Sequence, residues 1–292
     1  MPPKSRLGQN FLRDHQAIRR IVAALGDCSG RTVVEIGPGM GAITHELAAN
    51  AGRVLALEVD QELAIRLSKE FAGNETEHHA RAVESSIVDS NVEIETVDVL
   101  SFDFAAASVA AGQRLIVAGN LPYYITSPIL LKLAENSDML DRAVLMVQRE
   151  VADRVAAEPG SRDYGLLSVA VQLHGPVERL FTLPPSAFSP APEVHSTVFR
   201  WRFAPRFQEL EVNRENFLKF LRQVFALKRK TLANNLRAAG MEAPVVAAVL
   251  SDARIDLKAR AESLSIAALA GLWRVLKKAG ATPTNEVAPQ ID

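Results

Sequence analysis

Cysteine is almost missing from this chain. Cys28 is the one example in 292 residues, which excludes an intrachain disulfide and removes any reason to expect an oxidising compartment. Long apolar runs are missing as well: none approaches the roughly 20 residues that span a bilayer. The opening Met1-Pro2-Pro3-Lys4-Ser5-Arg6 leads into polar residues, so no secretory segment is expected. The six histidines do not gather with cysteines or carboxylates at ligand spacing. His78-His79 is the nearest pair, and adjacent side chains do not converge on one ion, so a solvated loop is expected there rather than a metal site. These absences point to a cytoplasmic, metal-free, soluble protein without a membrane anchor.

What is present is an ordinary globular composition, 48% hydrophobic and 23% charged, long enough for about two domains. The net charge of −1 conceals an asymmetry. Residues 201–292 hold 15 Lys and Arg against 9 Asp and Glu, leaving 18 against 25 for the rest. A basic back part suits a polyanionic partner, although solvated helix faces account for the same count.

Periodicity divides the chain similarly. Ile18, Ile21, Val22 and Leu25 mark a first helix, and 32–36 a first strand. The loop Gly37-Pro38-Gly39-Met40-Gly41 leads into a helix carrying Ile43, Leu47 and Ala48. A strand over 53–59, a helix through Leu63 and Leu67, a polar loop over 72–91 and a strand over 92–97 follow. A buried run, 115–118, ends at Gly119-Asn120, and Pro128 sits at the first position of a helix begun by Ser127. Then come a strand at 143–147, helices at 149–157 and 164–174, and strands at 177–182 and 196–203 around a Pro-rich loop. This alternation predicts an α/β fold, a parallel sheet with helices on both faces, closed by an antiparallel hairpin at one edge. From 213 onward every segment has helical spacing: Phe217, Phe220, Leu221, Val224, Phe225, Leu232, Leu236, Val245, Val246, Val249, Ile266, Leu269, Leu272 and Leu276. The expected division is a domain over 1–205, a small all-α domain over 206–281 and a disordered tail over 282–292.

Four strand ends carry the candidate chemistry. The glycine loop lets a ligand approach backbone N–H groups at a helix start. Glu58 follows Gly37 by 21 residues, as a ribose-binding carboxylate does, so the loop and Glu58 alone leave an NAD oxidoreductase open. Asp98 ends the third strand. Asn120-Leu121-Pro122-Tyr123 ends the fourth: Pro122 stiffens a corner where an amide, a carbonyl and an aromatic face meet. Such a corner suits a flat, amino-bearing ring.

The string Glu35-x-Gly37-x-Gly39-x-Gly41 resembles the loop of S-adenosylmethionine methyltransferases. Further strings stand at family spacing: Gly8-Gln9-Asn10-Phe11-Leu12, Leu57-Glu58-Val59-Asp60, Gly119 to Tyr123, Gln148-Arg149-Glu150-Val151, Pro185 to Pro190 and Arg229-Lys230-Thr231. Together they resemble the small-subunit ribosomal RNA adenine dimethyltransferase family over about residues 5–278. Two departures stand out: 73–91 is longer than many members need, and Tyr124 replaces an Asn common in the family.

The resemblance implies a Rossmann-like methyltransferase sheet that transfers methyl groups from S-adenosylmethionine to adenine amines of small-subunit rRNA. It implies catalytic roles for Asn120, Leu121, Pro122 and Tyr123. Cofactor contacts are implied for Asn10, Leu12, Gly37, Glu58, Asp98 and Asn120, although Phe11 and Leu12 equally suit a hydrophobic staple of the first helix. Tyr123 and Phe188 are the expected base partners, with packing of Phe188 on the core as the lesser alternative. Arg222, Lys228, Arg229 and Lys230, with Arg237, Arg6 and Arg13, are the expected RNA-backbone contacts. The expected partner is the immature small ribosomal subunit, met by a monomer without a metal. A large-subunit rRNA methyltransferase of the macrolide-resistance type and a non-catalytic assembly factor stay open at this point.

Overall fold

Residues 33–36, 54–58, 115–119 and 143–147 are buried without a break, as strands covered by helices on both faces must be. They form the middle of a seven-stranded sheet in the computed structural model, which describes residues 10–72 and 91–281. Arg6, Gly8-Gln9, His78-His79, nearly all of the expected polar loop and the tail from Thr282 lie outside the described residues.

The chain divides into two compact units, one of residues 1–152 and 176–204, the other of 153–175 and 205–292. In the first unit, β1 (Phe11–Leu12), α1 (His15–Ala24), β2 (Cys28–Ile36), α2 (Ala42–Asn50), β3 (Ala51–Glu58) and α3 (Gln61–Phe71) precede β4 (Val92–Thr96). After it come α4 (Phe104–Ala111), β5 (Leu115–Asn120), α5 (Thr126–Glu135), β6 (Leu140–Gln148) and α6 (Arg149–Val155), within which the first unit gives way to the second. Strands β7 (Val177–Leu183), β8 (Phe188–Ser189) and β9 (Ser196–Arg202) complete it. The sheet order is β4-β3-β2-β5-β6-β9-β7, parallel from β4 to β6 and antiparallel from β6 to β7. The expected edge hairpin is therefore present.

Several local expectations need correction. Phe11 and Leu12 are no helix staple. They form β1, an antiparallel pair with Phe188 and Ser189 of β8, and Asp14 instead starts α1 by accepting from the Gln16 and Ala17 amides. Helix α5 begins at Thr126, so Pro128 is its third residue. Helix α4 has no apolar period because five of its eight residues are alanine, yet Asp103 caps its start through Ala105 and Ala106.

Gly119 shows how tightly the sheet centre is built. It lies opposite Ile36 across β2 and β5, and a Cβ there would stand 2.7 Å from the Ile36 carbonyl oxygen. Gly119→Ala must push the two strands apart, and a loss of about 1–3 kcal/mol is expected in urea unfolding. An unchanged midpoint would mean that the strands part freely.

The second unit holds α7 (Leu166–Gln172), α8 (Arg214–Val224), α9 (Leu232–Ala238), α10 (Ala243–Asp252) and α11 (Ile266–Lys278). Phe217, Phe220, Leu221, Val224, Leu236, Leu269 and Leu272 meet in its core. Val169 and Leu173 belong to the same core with Tyr164. Segment 153–175 is therefore grouped with the helical unit, where the expected boundary at 205/206 placed it in the first domain. Val245, grouped with the apolar positions by periodicity, is 38% exposed on α10.

Candidate active site

The sheet changes direction of growth between β2 and β5. The chain runs outward from β2 through β3 to β4, then returns to lay β5 on the other side of β2. Open α/β sheets bind ligands at such a reversal, beyond the carboxyl ends of the strands. A cavity lies there, and Asn10, Leu12, Glu35, Gly37, Glu58, Asp98, Asn120, Leu121, Pro122 and Tyr123 all border it. The structure thus brings together every predicted catalytic and cofactor residue.

Main-chain bonds carry the four strand ends into line. The Gly37 amide donates to the Leu57 carbonyl (3.0 Å), and the Val97 amide to the Glu58 carbonyl (3.0 Å). The Leu121 amide donates to the Met146 carbonyl at 3.0 Å, fixing the corner after β5. Gly37, Gly39 and Gly41 all have φ between 58 and 82°, which glycine adopts without steric cost. At Gly39 a Cβ would also strike the Phe11 ring at 3.0 Å.

Glu58 is 2% exposed. Its Oε2 accepts from the Gly39 amide and its Oε1 from the Asp60 amide, each at 3.0 Å. Burial raises its pKa, and these two bonds oppose the rise. One carboxylate thereby holds the glycine loop and the start of α3 while keeping further lone pairs for a ligand. Asp98 is exposed, with Oδ1 accepting from the Leu100 amide at 2.9 Å.

Asn120 is the most constrained group. Its Nδ2 donates to the Asn10 carbonyl at 3.0 Å. A carbonyl can only accept, so the amide nitrogen must face Asn10 and the oxygen must face the other way. That Oδ1 is buried and receives no hydrogen bond from the described residues. Buried acceptors are rarely left so.

Glu35 is the residue that sequence reasoning undervalues. It is 1% exposed, Oε2 accepts nothing from the protein, and burial pushes its pKa up to about 8, with the Thr44 hydroxyl opposing the rise and the Glu58 charge adding to it. Its place before the glycine loop is the available signal. Tyr123 is partly buried, and its hydroxyl lies 2.6 Å from Ser196 Oγ.

Phe188, the other expected base partner, is 5% exposed in the core with Leu12, Ile18 and Ile43, and is not among the residues that border the cavity.

None of the described RNA-backbone candidates is among the residues that border the cavity. Arg13 is exposed in the first unit; Arg222, Lys228, Arg229, Lys230 and Arg237 are exposed in the second. The turn between α8 and α9 is held by Asn235, 2% exposed, which accepts from the Leu227 amide (2.8 Å) and donates to the Leu227 and Thr231 carbonyls. Arg229 takes φ 68°, a left-handed conformation unfavourable to a side chain. Among the described residues no three His, Cys, Asp or Glu side chains form a group able to hold a metal ion, and no helix is long and apolar enough to cross a membrane.

This sheet, with its glycine loop at the reversal, has the Rossmann-like fold of S-adenosylmethionine-dependent methyltransferases. A dimethyladenosine transferase from Plasmodium falciparum superposes with a TM-score of 0.76 at 22% identity, covering 94% of this chain and 100% of that one. The 23S rRNA methyltransferase ErmE gives 0.65 at 24% identity over 92% of this chain and 100% of its own. Residues 3–277 match the family described as ribosomal RNA adenine dimethylase. The chain is 54% identical over 274 residues to the ribosomal RNA small subunit methyltransferase A of Acidobacterium capsulatum, covering 94% of this chain and 91% of that protein. The protein of the same name from Koribacter versatilis is 44% identical over 288 residues, covering 94% and 95%. The chain therefore belongs to the ribosomal RNA adenine dimethylase family.

Proposed function

We propose that this protein dimethylates the exocyclic amines of two adjacent adenines in a hairpin loop near the 3′ end of small-subunit rRNA, using S-adenosylmethionine. The observation that carries the reading is Asn120 Oδ1, a buried acceptor at the cavity without a donor among the described residues. An adenine amine supplies the missing N–H. With the Leu121 carbonyl as second acceptor, the amine is drawn toward a pyramidal geometry in which its lone pair is freed from the ring. Pro122 keeps the corner stiff, and Tyr123 offers its face to the extruded base.

The residues present suit the cofactor. Glu58 has lone pairs that would accept from the ribose hydroxyls, Asp98 an acceptor that would meet the adenine amine, and Gly37, Asn10 and Leu12 would face the methionine end. When bound, S-adenosylmethionine supplies a methyl group on a positively charged sulfur. No strong base is needed beside Asn120, because an alkylated amine becomes acidic and releases its proton to water or to these acceptors.

The small subunit is favoured over the large because the relatives at 54% and 44% identity carry small-subunit names, while ErmE shares the fold alone. In this reading the protein is a cytoplasmic monomer acting on immature subunits. Labelled methyl transfer to purified immature small subunits, with mass analysis of nucleosides, should yield dimethyladenosine. Labelling of large-subunit RNA instead, or of neither, would overturn it.

The basic turn 228–230 is assigned to RNA phosphates. Replacing Lys228, Arg229 and Lys230 together by Gln should lower the slope of log affinity against log salt by roughly 2, at about 0.7–0.9 for each phosphate contact. Cofactor affinity should stay unchanged. A slope equal to that of the unaltered protein would remove the turn from the interface.

A further inference from the structure

Tyr123 and Tyr124 follow each other on the short 3₁₀ turn Tyr123–Ile125 but are held in different ways. The Tyr123 hydroxyl is bound to Ser196 Oγ, and Ser196 is fully buried on β9. Its ring is thus anchored at the far end. Tyr124 is 59% exposed, yet it borders the same cavity. Met40 and Val59, also open to solvent, border it too, so exposed apolar groups recur along the wall. Among the described residues no lysine or arginine belongs to that wall, while Glu35, Glu58 and Asp98 do. Beside these it offers apolar surface to a ligand.

We infer that Tyr124 is the stacking platform for the RNA base next to the one held in the cavity. The inference rests on the adenine-methylating reading above. Successive residues of a 3₁₀ turn point about 120° apart, so the two rings cannot share one base. Extruding a target base against Tyr123 also strips its neighbour of a stacking partner. An exposed tyrosine one residue further on replaces that partner without regard to base identity, since every base has a flat face. Tyr124 is then a residue that helps to set which RNA geometry enters, while Tyr123 holds the reacting base.

The test compares small subunits carrying intact rRNA with subunits whose 3′ segment is abasic at each position flanking the target adenine in turn. Tyr124→Ala should raise the half-saturating concentration for intact subunits by roughly 5- to 150-fold, the range for loss of one base–aromatic stack. Tyr124→Phe, which keeps the ring, should restore it. On one of the two abasic substrates the penalty of Tyr124→Ala should vanish. An equal penalty on all substrates, or none on intact subunits, overturns the platform. Calorimetric titration with S-adenosylmethionine checks that Tyr124→Ala is folded, and Tyr124→Asn gives a second variant of the same prediction. If the unaltered protein fails to methylate intact subunits, the proposed function itself fails, a result distinct from the others.

Discussion

Asn120→Ala is expected to bind S-adenosylmethionine nearly as well as the unaltered protein and to turn over roughly 10²–10³-fold more slowly. That range is what removal of one oriented hydrogen-bonding group costs at a reacting centre. The reason is geometric. One Nδ2 N–H is held by the Asn10 carbonyl, which fixes the amide with Oδ1 turned away from Asn10, and Oδ1 is the acceptor it offers to substrate. Truncation removes the acceptor and also releases Asn10 from the corner. Asn120→Asp separates the two effects, since it keeps an acceptor but sets a carboxylate oxygen against the Asn10 carbonyl, and it should be impaired as well. Single-turnover rates on rRNA with parallel calorimetry decide the matter. An Asn120→Ala enzyme with normal turnover would end the assignment.

Glu35→Gln is expected to make the protein more stable than its parent above pH 8 and to leave the two much closer near pH 4.5. Burial raises the Glu35 pKa from 4.5 to about 8. Between those values the native chain holds a proton that the unfolded chain has released. Unfolding then releases a proton, so stability falls as pH rises through this window and levels off above it. The fall due to this group is on the order of a few kcal/mol. Glutamine keeps the neutral shape and does not titrate. Urea unfolding of both proteins from pH 4.5 to 9 reads the difference, and parallel curves would show that Glu35 titrates normally.

Much of this site is legible in the sequence because buried parallel strands announce themselves as unbroken apolar runs, and their ends carry the polar residues that matter. The apolar runs put Glu58 and Asn120 at the tips of strands, the alternation of Val92–Thr96 puts Asp98 just beyond another, and the reversal between β2 and β5 brings those tips together. The pairing of β1 with β8 is not legible. Each strand is two residues long, too short for a period, and the partners are joined only by the folded chain. The burial of Phe188 is hidden for the same cause, because the pairing leaves no mark on neighbouring residues. Helix α4 hides behind alanines, with only Asp103 to signal it. The loyalty of α7 to the helical unit depends on Val169 and Leu173 meeting a core assembled from residues far later in the chain. Glu35 stands in plain view, but only burial reveals that its charge is suppressed.

The tether between Asn120 and Asn10 has a consequence for how many times the corner can be used. With one Nδ2 N–H held by the Asn10 carbonyl, Oδ1 and the Leu121 carbonyl are the acceptors the corner turns to an amine, and so it reads how many N–H groups the amine has left. Adenine brings two and its monomethyl form one, so both are retained. A dimethylated amine brings none, and its arrival would leave Oδ1 buried without a donor, which is costly. On the proposed reaction the same amide that admits the substrate therefore acts as a tally, and the count ends at two.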